Sequence, residues 1–138
     1  MNTITYRTGG ELDLDQMIEL YVASTLGARR PVDDRAVMAD MLRHGNLIVT
    51  AWDGELLVGV SRSLTDFGYA CYLSDLAVRE SYQKRGIGRE LIRHTRAALG
   101  PRCKIILLAA PAAVGYYPKL GFEQHSSAWV LPETSPLT

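Results

Sequence analysis

Leu73-Ser-Asp-Leu-Ala-Val-Arg-Glu-Ser-Tyr-Gln-Lys-Arg-Gly-Ile-Gly-Arg-Glu-Leu-Ile92 is the stretch on which the reading of this chain turns. An apolar strand runs to Val78, a short turn follows, and Gln83-Lys-Arg-Gly-Ile-Gly88 opens a helix. Glycine lets a backbone curl without a side chain in the way, and the first N–H groups of a helix have no partner within it. Those donors sit at the positive end of the helix dipole and suit a phosphate. Lys84, Arg85 and Arg89 add positive charge around the same turn. The stretch therefore predicts an anion site, most naturally a pyrophosphate cradle. Its donors are the main-chain N–H groups of Arg85, Gly86, Ile87, Gly88 and Arg89.

The glycine-rich element lacks the Gly-Lys-Ser/Thr of a Walker A loop and the three-glycine dinucleotide fingerprint with its distant acid. A second stretch, Gly115-Tyr-Tyr-Pro-Lys-Leu-Gly-Phe122, stands further along. Together the two resemble the GNAT superfamily of acyl-CoA-dependent N-acyltransferases. Its signature is Gln/Arg-x-x-Gly-x-Gly/Ala after a strand with a hydrophobic-x-Val ending, and Gln83, Gly86 and Gly88 fill it without substitution. The second stretch is close to the family's aromatic-Tyr-x-x-x-Gly-Phe. The resemblance covers Ile48 to Phe122; the residues before it match only in general helical character.

With 138 residues the chain is of one-domain size. The resemblance makes 1–138 a single GNAT-like domain, and Pro132-Glu-Thr-Ser-Pro136 reads as part of a loose tail over 132–138. Lys plus Arg total 15 against 15 Asp plus Glu, so no overall field favours nucleic acid or an anionic membrane. Cys71 and Cys103 lack metal-ligand spacing and read as reduced thiols. No apolar stretch suits a signal peptide or a membrane span, and the expectation is a cytoplasmic protein.

Ile4–Arg7 reads as an edge strand ended by Gly9-Gly10. Met17, Ile18, Leu20, Tyr21 and Val22 then recur at helical spacing behind a candidate N-cap, Asp13, with Gly27 and Pro31 closing that helix. A second helix starts at Asp33-Asp34, carries Val37, Met38, Met41 and Leu42 inward, and ends at Gly45. From Asn46 the period becomes two. Leu47–Trp52 and Glu55–Arg62 form a hairpin about an Asp53-Gly54 type I′ turn, and Asp66-Phe-Gly68 leads into the strand Tyr69–Val78. The helix after the glycines runs to about Leu99, with Leu91, Ile92, Thr95 and Leu99 inward. Lys104–Ala109 is apolar enough for a strand covered on both faces. Ala112–Lys119 reads as a short helix, and Phe122–Leu131 as one or two last strands.

The fold class expected is α/β (α+β): a mixed, mostly antiparallel sheet with about four flanking helices. The resemblance adds a sheet splayed between its fourth and fifth strands, at Leu73–Val78 and Lys104–Ala109, with the pantetheine arm of acetyl-CoA in the opening. It implies that main-chain groups of Leu76, Ala77 and Val78 bind that arm and that an N–H near Leu76 polarises the thioester. It assigns the CoA pyrophosphate to Gln83, Lys84, Arg85, Gly86, Ile87, Gly88 and Arg89. Tyr117 takes the family's tyrosine position, four residues before Gly121, where a phenol would protonate the departing thiolate; Tyr116 is the alternative. Pro111 or Ala112 stands where the family often has an Asn that contacts CoA.

The attacking amine must lose a proton. Many relatives place a Glu or His on the strand before the cradle. By period two, Tyr72 and Ser74 share a face here and Asp75 takes the opposite one, a structural hydrogen-bonding position. Proton removal is then assigned to water ordered by Tyr72 and Ser74. His44, His94 and His125 are not spaced as ligands, His94 reads as a surface residue, and no metal is expected. Arg29, Arg30, Asp33 and Asp34 place both signs near the expected amine entrance, which leaves the acceptor open between small molecule and protein terminus. The function implied is N-acetyl transfer to a primary amine by direct attack, since Cys71 and Cys103 lack a base partner for an acyl-enzyme. A non-catalytic acyl-CoA-binding domain is the alternative, and the family adds homodimerisation through the last strands.

Overall fold

Residues 57–63 are buried throughout and residues 71–77 alternate in burial, and these two segments build the centre of the structure. A computed structural model describes residues 3–138. The chain divides into two compact units, Met1–Leu108 and Ala109–Thr138. In the first, the strands β1 (Thr5–Thr8), β2 (Leu47–Asp53), β3 (Leu56–Thr65), β4 (Ala70–Val78) and β5 (Lys104–Ile106) form one sheet in sequence order. The first four are antiparallel and β5 runs parallel to β4. The helices α1 (Leu14–Val22) and α2 (Arg35–His44) precede β2, and α3 (Ile87–Ala97) connects β4 to β5. The α/β class and the splay between the fourth and fifth strands are both present.

Two apolar layers cover the sheet. Met17, Leu20 and Tyr21 of α1 and Met38 of α2 pack on Trp52, Leu57, Val60 and Ala77. Ile87 and Leu91 of α3 pack on Val49, Ala51 and Val58. Asp13 caps α1, its carboxylate accepting from Gln16 N, and Asp34 caps α2 in the same way. The helix α1 stops at Val22, earlier than Gly27, because the Ser24 hydroxyl donates to the Tyr21 carbonyl and accepts from Leu26 N. Such local bonds compete with helix propagation. A 3-10 turn over Thr25–Arg29 follows.

Close approach fixes where α3 lies. A Cβ on Gly59 of β3 would stand 3.0 Å from Leu91 Cδ1 and 3.2 Å from Ile87 Cγ2. The helix can press on the sheet there only because that carbon is missing. Thr95, fully buried on α3, meets Ser61 Oγ at 2.8 Å and also donates to the Leu91 carbonyl. Leu99 lies beyond the end of α3 and is half-buried.

Four expectations shift. The β2–β3 loop is Gly54-Glu55, since Asp53 pairs with Leu56, and Gly54 takes the positive φ (60°) at the first central position, as in a type II′ turn. The strand β5 ends at Ile106 rather than Ala109, and Ile106 and Leu108 are half-exposed rather than covered on both faces. In the second unit Ala112–Lys119 is no continuous helix: 3-10 turns at Pro111–Ala113 and Tyr117–Leu120 flank Gly115. Proline removes a helix donor and glycine adds entropy cost, so an α-helix does not propagate. Phe122–Leu131 contains no strand. Its polar run has no alternation, and the His125 ring ties back to Ser127 Oγ (2.8 Å), holding the chain in a local turn.

Gly59→Val should lower stability by about 1–3 kcal/mol through overpacking at Leu91 and Ile87. Urea unfolding of the purified chain measures it, and an unchanged midpoint would show that α3 does not rest on β3 there.

Candidate active site

Where β5 ends, one edge of β4 opens. The β4–β5 pairs are Ala70↔Lys104, Cys71↔Ile105 and Tyr72↔Ile106; no further strand pair joins that edge of Leu73–Val78 among the described residues. On the other edge, Arg79 N donates to the Val58 carbonyl at 2.8 Å. Counting back in twos along the antiparallel ladder makes Ala77/Val60 and Asp75/Arg62 the hydrogen-bonded pairs. Leu76 and Val78, lying between them, turn N–H and C=O toward the open edge. Ala77 turns its own toward β3 and buries its side chain with α1. Gln83 Nε2 donates to the Val78 carbonyl at 3.1 Å, closing the far end of this edge.

Beside that edge begins α3. A 3-10 turn over Glu80–Tyr82 leads to Lys84 and Gly86, both left-handed with φ of 64° and 80°. A lysine in this region costs about 1 kcal/mol, so the surrounding turn imposes it. The first bond of α3 runs from Glu90 N to the Gly86 carbonyl at 3.1 Å. The N–H groups of Ile87, Gly88 and Arg89 precede it, and no side chain caps the helix. A Cβ built on Gly86 meets no protein atom within 4 Å, so the chain leaves room beside this turn. A diphosphate fits such a cradle.

The turn is anchored from beneath. Glu80 N donates to the Ala23 carbonyl at 3.0 Å, and Arg79 forms a two-pronged pair with Glu19 of α1 at 2.6 and 2.7 Å. Ile87 is buried under the sheet face. Arg85 lies over the Tyr82 ring, 4.8 Å from its centroid, while the Tyr82 hydroxyl donates to Asp53. Gln83, Lys84 and Arg89 are exposed.

On the α1/α2 side of the same strand, polar groups are buried together. Arg62 pairs with Asp75 but Ser63 with Leu73, so Ser74 is an extra, bulged residue. The bulge breaks the alternation expected from sequence. Tyr72, opposite Leu64, shares the face of Arg62 and Asp75, and Ser74 turns its hydroxyl to that cluster as well. Asp75 is 1% exposed and accepts from the Tyr21 hydroxyl (2.6 Å), Arg62 Nε (2.6 Å), Arg30 Nε (2.7 Å) and Ser74 Oγ (3.3 Å). Burial alone would raise its pKa, but the Arg62 guanidinium, with Tyr21 and Arg30, holds it below the ordinary value. A carboxylate so saturated is a structural anion and not a base. Burial, then Asp75, pushes the Tyr21 phenol well up, and it stays protonated. Arg30 thus turns inward from the charged loop, while Arg29, Asp33 and Asp34 remain at the surface.

In the second unit, Tyr117 meets the Tyr116 and Phe122 rings edge-on at 5.3 and 5.4 Å. Burial raises its pKa, so the phenol carries a proton at neutral pH. His94 stacks on Tyr6 of β1 at 5.0 Å rather than standing free at the surface. Among the described residues no cluster of His, Cys, Asp and Glu could hold a metal, and no helix is long and apolar enough to cross a membrane. An open cleft of about 1180 Å³ beside β1 and α1, among Arg7, Leu12, Asn46 and Trp52, includes none of the cradle or edge residues.

The family model for the acetyltransferase (GNAT) domain matches residues 43–124. This chain belongs to the GNAT acetyltransferases. The matched span opens in the last turn of α2 and takes in β2 to β5, the cradle and Tyr117. The fold is similar to a GNAT family acetyltransferase from Streptococcus pneumoniae TIGR4 (25% identity, TM-score 0.73, covering 95% of this chain and 100% of that one). It is similar also to a putative acetyltransferase from Agrobacterium tumefaciens C58 (27% identity, TM-score 0.72, 94% and 99% covered). An aminoglycoside N-acetyltransferase in complex with CoA shares the fold at 16% identity (TM-score 0.74, 98% and 97% covered). No curated protein matches the chain.

Nothing local in the sequence links Tyr21, Arg62 and Arg30 to one another. The available signal was Asp75 itself, since a carboxylate within an apolar strand needs a cation. Asp75→Asn should cost about 3–5 kcal/mol, because it leaves two guanidiniums around a neutral group and Arg62 nearly dry. Asp75's folded pKa lies below its unfolded one, so its contribution is present above the ordinary Asp range and lost as pH falls through the folded pKa. Unfolding free energies of wild type should drop below about pH 4 more steeply than those of the Asn variant; parallel curves would count against the ion cluster.

Proposed function

We propose that this chain is an N-acetyltransferase that passes the acetyl group of acetyl-CoA to a primary amine by direct attack, with both substrates bound together. The observation that carries this reading is the uncapped N-terminus of α3 lying beside the open β4 edge at Leu76–Val78. The first suits the diphosphate and the second a chain of amides. Residues 1–138 act as one acyltransferase domain, in the cytoplasm, where unpaired thiols such as Cys71 and Cys103 persist.

Acetyl-CoA supplies the activated acyl group. The N–H groups of Arg85 to Arg89 take its pyrophosphate, with Lys84 and Arg89 neutralising charge, and Gln83 steadies the strand end. The pantetheine amides pair with the main chain of Leu76 and Val78, and the Leu76 N–H polarises the thioester carbonyl. Ala77 keeps that edge straight by holding to β3. The acceptor, losing a proton to water at the Tyr72 phenol, attacks the carbonyl carbon. Ser74 Oγ donates to Asp75 and accepts from Arg62, which leaves one lone pair for the same water. The new C–N bond forms, the C–S bond breaks, and Tyr117 gives its proton to the thiolate.

An amine panel spanning polyamines, amino acids, aminoglycosides and peptide N-termini, assayed for thiol release, tests the reaction and the acceptor together. Acetyl-CoA binding without release to any amine would mark a binding domain instead. Gly86→Val adds a β-branched side chain at a left-handed residue beside the α3 donors, which shifts the turn, and should weaken acetyl-CoA binding about tenfold or more in calorimetry, with the sheet and helices retained. Unchanged affinity would remove the cradle. Tyr117→Phe should lower kcat by about 100-fold with little change in acetyl-CoA affinity, in keeping with a lost general acid. Full activity would assign that proton elsewhere.

A further inference from the structure

The bulge of β4 and the parting of β4 from β5 occur at one place. Pairing with β5 stops at Tyr72↔Ile106, and the extra residue, Ser74, lies just beyond. A bulge bends its strand and increases local twist. The bend at Ser74 therefore directs Leu76 and Val78 away from the line of β5 and leaves their edge open.

An extra residue in a ladder has main-chain groups that need partners. Here the Ser74 carbonyl finds its partner in a loop outside the sheet. Arg30, which follows the 3-10 turn over Thr25–Arg29, sends Nη2 to the Ser74 carbonyl at 2.8 Å and Nε to Asp75 Oδ1 at 2.7 Å. Its Nη1 donates to the Arg29 carbonyl at 2.8 Å, which stiffens the loop that holds it. From the neighbouring strand, Arg62 grips the same two residues through Asp75 Oδ2 and Ser74 Oγ, and it also reaches the Met41 carbonyl of α2 at 3.2 Å. The bulge is thus clamped from both sides by planar forks. Only a guanidinium can place two fixed donors on a carboxylate and an adjacent carbonyl at once.

We propose that Arg30 is a positioning residue for acetyl transfer: by bridging Asp75 and the Ser74 carbonyl it holds the β4 bulge, and so sets the direction of the Leu76 N–H at the thioester. The proposal rests on the acetyl-CoA reading above. It separates two parts of the site. The pyrophosphate grip belongs to the start of α3 and does not depend on Arg30, whereas the thioester contact belongs to the edge that the bulge aims.

Acetyl-CoA and CoA are titrated calorimetrically into wild type, Arg30→Met and Arg30→Lys, and turnover is followed with the best amine of the panel. Both variants should keep CoA affinity within about twofold. Both should lose acetyl-CoA affinity relative to CoA, and kcat per CoA-binding site, by about tenfold or more, the scale of one lost charge-assisted hydrogen bond. Arg30→Lys keeps a cation opposite Asp75 and should retain the melting temperature while sharing the kinetic loss, a split that a purely structural role would not give. Wild-type kcat and acetyl-CoA affinity in Arg30→Lys overturn the proposal, even if Arg30→Met fails to fold. Wild type that binds neither CoA nor acetyl-CoA brings down the acetyl-CoA reading and this proposal with it; tight wild-type binding with unaffected variants brings down the Arg30 assignment alone.

Discussion

A single carboxylate, taken wholly out of water, organises the middle of the sheet. Removing such a charge from solvent costs several kcal/mol, and only full hydrogen bonding at good geometry offsets it. Asp75 meets that demand with Tyr21 from α1, Arg62 from β3, Arg30 from the loop before α2 and its neighbour Ser74. The end of α1 with the loop after it, β3 and β4 must converge before the anion is stable. The cluster adds less to net stability than it does to uniqueness, because an alternative packing would strand a charge. Its placement at the bulge makes the open edge of β4 a consequence of core polarity and not of loop chance.

The second constraint runs through α3. Ile87 stands at the uncapped start of α3 and belongs to the core through its side chain. Gly59 lets that side chain and Leu91 press onto β3. The position of the α3 N-terminus is therefore inherited from packing under the sheet, and Lys84, Arg85 and Arg89 around it are exposed. Anchoring of the preceding turn by Arg79 on Glu19 joins the same turn to α1.

Most of the first unit was legible in the sequence, because its signals are local. Period two marked β2 to β4, Asp13 and Asp34 marked helix starts, and the glycines at 86 and 88 marked the start of α3. What was not legible depends on distant partners. Alternation placed Asp75 opposite Tyr72 and Ser74, and one extra residue reversed that relation. The apolar run to Ala109 does not encode where β5 ends, at Ile106, because that depends on the strand beside it. Tyr21 looked like one more apolar helix position, although its hydroxyl is as important as its ring. In the second unit Pro111, Gly115 and Pro118 broke a helix into turns, and the polar run after Phe122 did not alternate.

The two tryptophans fall one in each unit and in opposite surroundings. Trp52 is 6% exposed, with the Arg7 guanidinium 4.4 Å above its ring and its indole N–H on Thr50. Trp129 is 93% exposed. Intrinsic fluorescence of the unmodified chain therefore contains two spectrally separable reporters, a shielded one between the sheet and α1 and a wet one near the C-terminus. Quenching by a neutral solute such as acrylamide acts first on the latter, which lets events in residues 109–138 be followed optically without labelling.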